Sequence, residues 1–147
     1  MRRSQPFGVV KATILTEDSL ANLEAEVIHE FLDAYAQAWN RHDIDAILAA
    51  MTEDCVMETS AGPETCGRSF QGQAEVRRGI EGFFKQYPDA RWVGARHFIA
   101  GGRGVTEWTF VATGAEGAKT ESKGCDVYRF CGGKNTRKSS FRNIRTA

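Results

Sequence analysis

The chain has 147 residues, 41% hydrophobic and 26% charged, which bounds it to one globular domain with a core of ordinary size. Its 19 basic and 19 acidic side chains cancel, so no global field recruits nucleic acid or an anionic membrane, and a small neutral or weakly charged partner is expected. No apolar run approaches the roughly 20 residues of a membrane span, and Gly8 and Lys11 interrupt the stretch that would form a signal-peptide core, so the cytoplasm is the expected compartment.

Residues 1–15 lack a clear period and read as a loosely attached lead-in, with one domain over 16–147. Thr16 can cap a helix, with Glu17 and Asp18 in the dipole-favoured first turn. Leu20, Leu23, Val27, Phe31, Tyr35 and Trp39 then recur in steps of three and four, the stripe of a long amphipathic helix. Asn40, Arg41 and His42 break it, and Asp43 can cap a short second helix with Ile44, Ile47, Leu48 and Met51 on one face. Cys55 to Thr59 reads as a strand and, after Gly62-Pro63, the chain returns around Phe70 as a small hairpin. Val76, Ile80, Phe83, Phe84 and Tyr87 mark a third helix that Pro88 stops.

Glycine-punctuated strands follow: Arg91 to Ala100, Val105 to Thr113, Lys123 to Cys131, and a last one ending near Ile144. Helices first and strands after is the α+β signature, here a mostly antiparallel meander with helices on one face. The basic residues Lys134, Arg137, Lys138, Arg142 and Arg145 fit a solvated strand edge. Cys55, Cys66, Cys125 and Cys131 form no CxxC pair and have no histidine at ligand spacing, so free thiols and no metal site are expected. No glycine-rich loop carries a phosphate or dinucleotide fingerprint, and no cofactor is implied.

The segment from Tyr35 through Trp39-Asn40 and Asp43-Ile-Asp45 to Met51-Thr-Glu-Asp54 resembles the opening of the nuclear transport factor 2-like superfamily, which includes SnoaL-like polyketide cyclases and ketosteroid isomerases. Glu107-Trp108-Thr109-Phe110, followed by Gly124-Cys125-Asp126-Val127-Tyr128-Arg129-Phe130, resembles the hairpin of the same family. The resemblance implies a curved sheet wrapped around the long N-terminal helix as a cone-shaped α+β barrel with a central cavity. It places the isomerases' hydrogen-bonding Tyr and neutral Asp on Tyr35 and Asp126, which would converge on an oxyanion. The isomerases' base falls on Thr59, which cannot act as one, so ordinary ketosteroid isomerase activity is not expected. Glu58 is adjacent but has the opposite strand parity, so it substitutes only if the register shifts.

Parity sorts the remaining candidates. If Asp126 faces the cavity, Gly124, Tyr128 and Phe130 do too, and on the preceding strand the apolar face of Thr106, Trp108 and Phe110 should be the inner one. Glu107 then points outward, but Trp108 interrupts a clean alternation and the cyclases that the chain resembles carry acids in this region, so Glu107 stays a candidate acid or base. His97 is the best-placed histidine for a missing base; its strand offers Trp92, Gly94, Arg96 and Phe98 on one face and Val93, Ala95, His97 and Ile99 on the other, and either face can be inside. Trp39, Met57, Thr59, Trp108, Phe110, Tyr128 and Phe130 are the candidate lining of a cavity for a small hydrophobic molecule. The functional readings are a cofactor-independent enzyme performing proton transfer, cyclisation or hydrolysis, a non-catalytic binding protein, or an interaction module whose cone is filled. Outward-facing Cys125, Val127 and Cys131 form an apolar stripe suited to a homodimer through the sheet's outer face.

Overall fold

The structure, a computed structural model, describes residues 16–114 and 116–147. The expected lead-in therefore lies outside the described residues. Helix α1 spans Glu17–Asn40, and the Thr16 hydroxyl accepts from the backbone N–H of Ser19 at 3.2 Å, the predicted cap. Its apolar stripe divides in two: Leu20, Leu23 and Val27 are exposed, whereas Leu32, Tyr35, Ala38 and Trp39 are buried. His42, at φ 56°, turns the chain into α2 (Ile44–Ala49), capped by Asp43 through Ala46 N–H at 3.0 Å.

Strand β1 (Met51–Glu58) begins earlier than expected, taking in Met51, which the helical stripe had claimed. It pairs antiparallel with β2 (Ser69–Gln71), the predicted hairpin, and α3 (Gly72–Gln86) follows. Strands β3 (Arg91–Ala100), β4 (Arg103–Thr113), β5 (Lys119–Cys131) and β6 (Lys134–Arg142) form the antiparallel meander. The sheet order is β2-β1-β6-β5-β4-β3, so the curved sheet is unclosed with β2 and β3 at its edges, and the parallel pairing of β1 with β6 makes it mixed.

That parallel junction overturns one expectation. Strand β6 is interior to the sheet, so its basic residues do not guard an edge. Leu32, Tyr35 and Trp39 of α1, Ile47 and Leu48 of α2, Met51, Cys55 and Met57 of β1, Val76 and Ile80 of α3 and Tyr128 of β5 form one core cluster. Each fully buried aliphatic side chain there contributes about 1.5–3 kcal/mol of transfer free energy. The helices thus fill the sheet's concave side, and what they leave unfilled is the site.

Candidate functional site

Strand β4 alternates strictly between buried Thr106, Trp108 and Phe110 and more exposed neighbours, so the predicted inner face is the observed one. Glu107 lies on the outer face and is exposed, which removes it from the cavity. Cross-strand pairing of Thr106 with Asp126 and of Trp108 with Gly124 carries the same parity into β5. On β3 both parity readings prove partial. The register shifts between Val93 and Arg96, and Gly94 takes φ 68°, a bulge that inserts one residue. Trp92 and His97, of opposite parity in sequence, consequently both face inward.

Between this inner face and α3 lies a cleft of about 520 Å³, its open mouth included. Aromatic walls come from Trp39, Phe83, Trp92, Trp108 and Phe110, and Met57 and Ile80 complete the apolar lining. Thr59 stands at the mouth, but its hydroxyl accepts from Arg68 N–H at 3.0 Å and donates to the Ala61 carbonyl at 2.8 Å, so it serves the hairpin. Tyr128 and Phe130 do not line the cleft. Tyr128 is buried in the core and Phe130 packs edge-on against Phe31.

The chemistry on the inner wall centres on Asp126 and on Lys138, a residue that sequence reasoning left at a solvated edge. Both are only 6% exposed. Lys138 Nζ donates to Asp126 Oδ1 at 2.9 Å and to Ser140 Oγ at 2.7 Å, and sits 4.7 Å from the Trp39 ring centroid. Ser140 donates in turn to Asp126 Oδ1 at 2.6 Å, while Trp108 Nε1 and the Tyr128 hydroxyl reach Oδ2 at 2.9 and 3.3 Å. The Asp126 oxygens thus accept from four side-chain donors, one of them Lys138, whereas the resemblance implied an Asp that donates to a ligand oxygen. Gly124 allows this arrangement: a Cβ there would meet the Trp108 ring at 2.5 Å, so only glycine lets the indole lean over β5 toward Asp126.

The expected meeting of Tyr35 with Asp126 does not occur. The Tyr35 hydroxyl donates to Met51 Sδ at 3.5 Å, and its ring stands edge-on to Tyr128, whose hydroxyl takes the place at the carboxylate. Burial pushes both phenols above their ordinary pKa, assisted by the nearby Asp126 charge. Glu58 borders the mouth of the cleft, and its carboxylate is engaged by Arg137 and Ser139. His97, with 1% of its side chain exposed, bridges Thr106 Oγ1 at 2.8 Å and Asp33 Oδ1 at 3.0 Å, tying β4 to α1 away from the cleft. Burial lowers its pKa, and the Asp33 carboxylate opposes that in part. His42 is a second strap: its Nε2 lies 2.8 Å from the Ala90 carbonyl and its ring stacks on Phe84. Sequence offered no signal for Lys138, because on β6 the single aromatic, Phe141, faces outward while Lys138 and Ser140 face inward.

The described residues contain no cluster of three or more potential metal ligands and no helix long and apolar enough to cross a membrane. Residues 32–138 match the model of the SnoaL-like domain. Among solved structures, the chain is similar to a candidate polyketide cyclase from Xanthomonas campestris pv. campestris, with 20% identity, coverage of 80% of this chain and 91% of that one, and a TM-score of 0.71. TerC, co-crystallised with polyporic acid, shares 20% identity over 80% and 92% of the two chains, with a TM-score of 0.69. A Catenulispora acidiphila protein with a ketosteroid isomerase-like fold, in complex with trimethylamine, shares 14% identity over 78% and 86%, also with a TM-score of 0.69. At these identities the likeness shows the nuclear transport factor 2-like fold alone. Among curated proteins none matches the chain significantly.

Proposed function

We propose that this chain, which belongs to the SnoaL-like domain family, acts without a cofactor on a small, largely apolar carbonyl compound held in the aromatic cleft, by proton transfer or ring closure. The observation that carries this reading is the Lys138 ammonium, buried at the cleft wall and braced by Asp126. A buried ion pair adds little stability over a well-packed apolar replacement, and ionisable groups held in clefts are candidates for chemistry. In such a low-polarity setting an ammonium stabilises the oxyanion that develops on a substrate carbonyl. Ring closure of a substrate that carries its own enol needs little beyond that polarisation and close positioning. Trp108, Tyr128 and Ser140 then hold the Asp126 carboxylate, and through it Lys138, in place.

A non-catalytic binding protein is the second reading, favoured by one feature. Among the described residues no side chain able to act as a base stands unengaged in the cleft: Thr59 serves its hairpin, Glu58 is held by Arg137 and Ser139, and His97 lies behind the wall. Exchange of the α-protons of 2-tetralone in D2O, followed by NMR, separates the two. Accelerated exchange that is lost in the Asp126→Asn/Lys138→Met double variant supports catalysis, whereas ligand-induced shifts without exchange assign a carrier.

The outer sheet face supports a homodimer as the acting form. Phe98 and Phe141 are exposed there at 49% and 58%, beside half-buried Val105, Cys125 and Val127. A second copy would cover this stripe.

A further inference from the structure

The side chains around the cleft differ in how much of their hydrogen-bonding capacity and charge is already used. An ammonium has three donors, and Lys138, 4.7 Å from the Trp39 ring centroid, gives one to Asp126 and one to Ser140, which leaves a single N–H for a substrate oxygen. Its charge is matched by Asp126. Glu58, at the mouth, is matched by Arg137. Arg142 differs from both. It lines the same cleft with its guanidinium carbon 4.5 Å from the Phe110 ring centroid, and among the described residues it pairs with no carboxylate.

The charges bordering the cleft therefore sum to one uncompensated positive charge, carried by Arg142. A guanidinium stacked on an aromatic ring keeps its in-plane N–H groups available, and that fork matches a carboxylate or enolate with two parallel hydrogen bonds. The aromatic walls favour a flat, apolar body next to it. We propose that the ligand of this cleft is a planar aromatic monoanion, with Arg142 as the residue that reads its acidic group. This inference rests on the cleft being the ligand site, and names the ligand's chemical class.

Trp39, Trp92 and Trp108 are the only tryptophans of the chain and all line the cleft, so intrinsic fluorescence reports directly on occupancy. The probes are trans-cinnamate and its neutral isostere trans-cinnamamide, titrated into the wild-type protein, Arg142→Gln and Arg142→Lys. Cinnamate should bind the wild type about tenfold more tightly than cinnamamide, the selectivity expected of one charge-assisted contact. Arg142→Gln should remove that selectivity by weakening cinnamate alone, Arg142→Lys should restore part of it, and added salt should weaken only the anion. Arg142 is half-buried near the end of β6, and matching thermal melts would confirm that its variants fold alike. Equal affinities of the two probes for the wild type, or an equal loss of both in Arg142→Gln, would overturn the anion reading while leaving the cleft a ligand site. Failure of both probes to quench any tryptophan would overturn the cleft assignment and this inference with it.

Discussion

Replacing Lys138 with Met removes the ammonium and keeps an apolar stem of similar length, so the variant isolates what the charge contributes. Asp126 would remain buried, with Trp108, Tyr128 and Ser140 still donating to it but no cation beside it. Removing one partner of a buried pair costs about 3–5 kcal/mol. The three surviving donors place Lys138→Met at the lower end of that range, about 3 kcal/mol including the lost contact with the Trp39 ring. In the Asp126→Asn/Lys138→Met double variant the stranded charge is gone and the amide oxygen can still accept from Trp108, so the total loss should be about 1 kcal/mol. The double variant is thus expected to be more stable than the single one by about 2 kcal/mol. Urea unfolding measures this directly, and the corresponding difference in melting temperature is about 4–8 °C for a chain of this size. A double variant as destabilised as Lys138→Met, or less stable, would refute the stranded-charge argument and with it the view that Lys138 and Asp126 act as one unit.

Three further outcomes are expected. Because burial holds the folded-state pKa of His97 below its ordinary value, the unfolded chain binds more protons as pH falls through 6.5; His97 then contributes stability above that pH that is lost on acidification, and His97→Gln should flatten this slope in melting curves taken from pH 8 to 5. Gly124→Ala should cost about 1–3 kcal/mol in urea unfolding, because the added methyl meets the Phe141 carbonyl at 2.3 Å and the Trp108 ring. Sedimentation at micromolar concentration should show a dimer that Phe141→Glu dissociates, whereas a monomeric wild type would remove the proposed role of the outer face.

The inner faces of β4 and β5 were legible in the sequence because side-chain direction on a regular strand depends only on the two-residue period of the backbone. The Thr16 and Asp43 caps, the helical spacing before Pro88 and the glycine turns are likewise local, and local chemistry decides them. Strand β3 marks where that logic ends. One extra residue at Gly94 turns both Trp92 and His97 inward, and a bulge is specified jointly by the neighbouring strand. The character of Asp126 was likewise decided by tertiary structure. Alone among aromatics it reads as a group that should lose its charge, but the register of β5 against β6 places Ser140 opposite it and Lys138 opposite Tyr128, within reach of its oxygens. The parallel junction of β1 with β6 places Lys138 beside Met57 in the interior of the sheet and turns a presumed solvated edge into the cleft wall. Strand pairing between distant segments leaves no mark on local periodicity, and in this protein it decides which charges are buried together and therefore where the site lies.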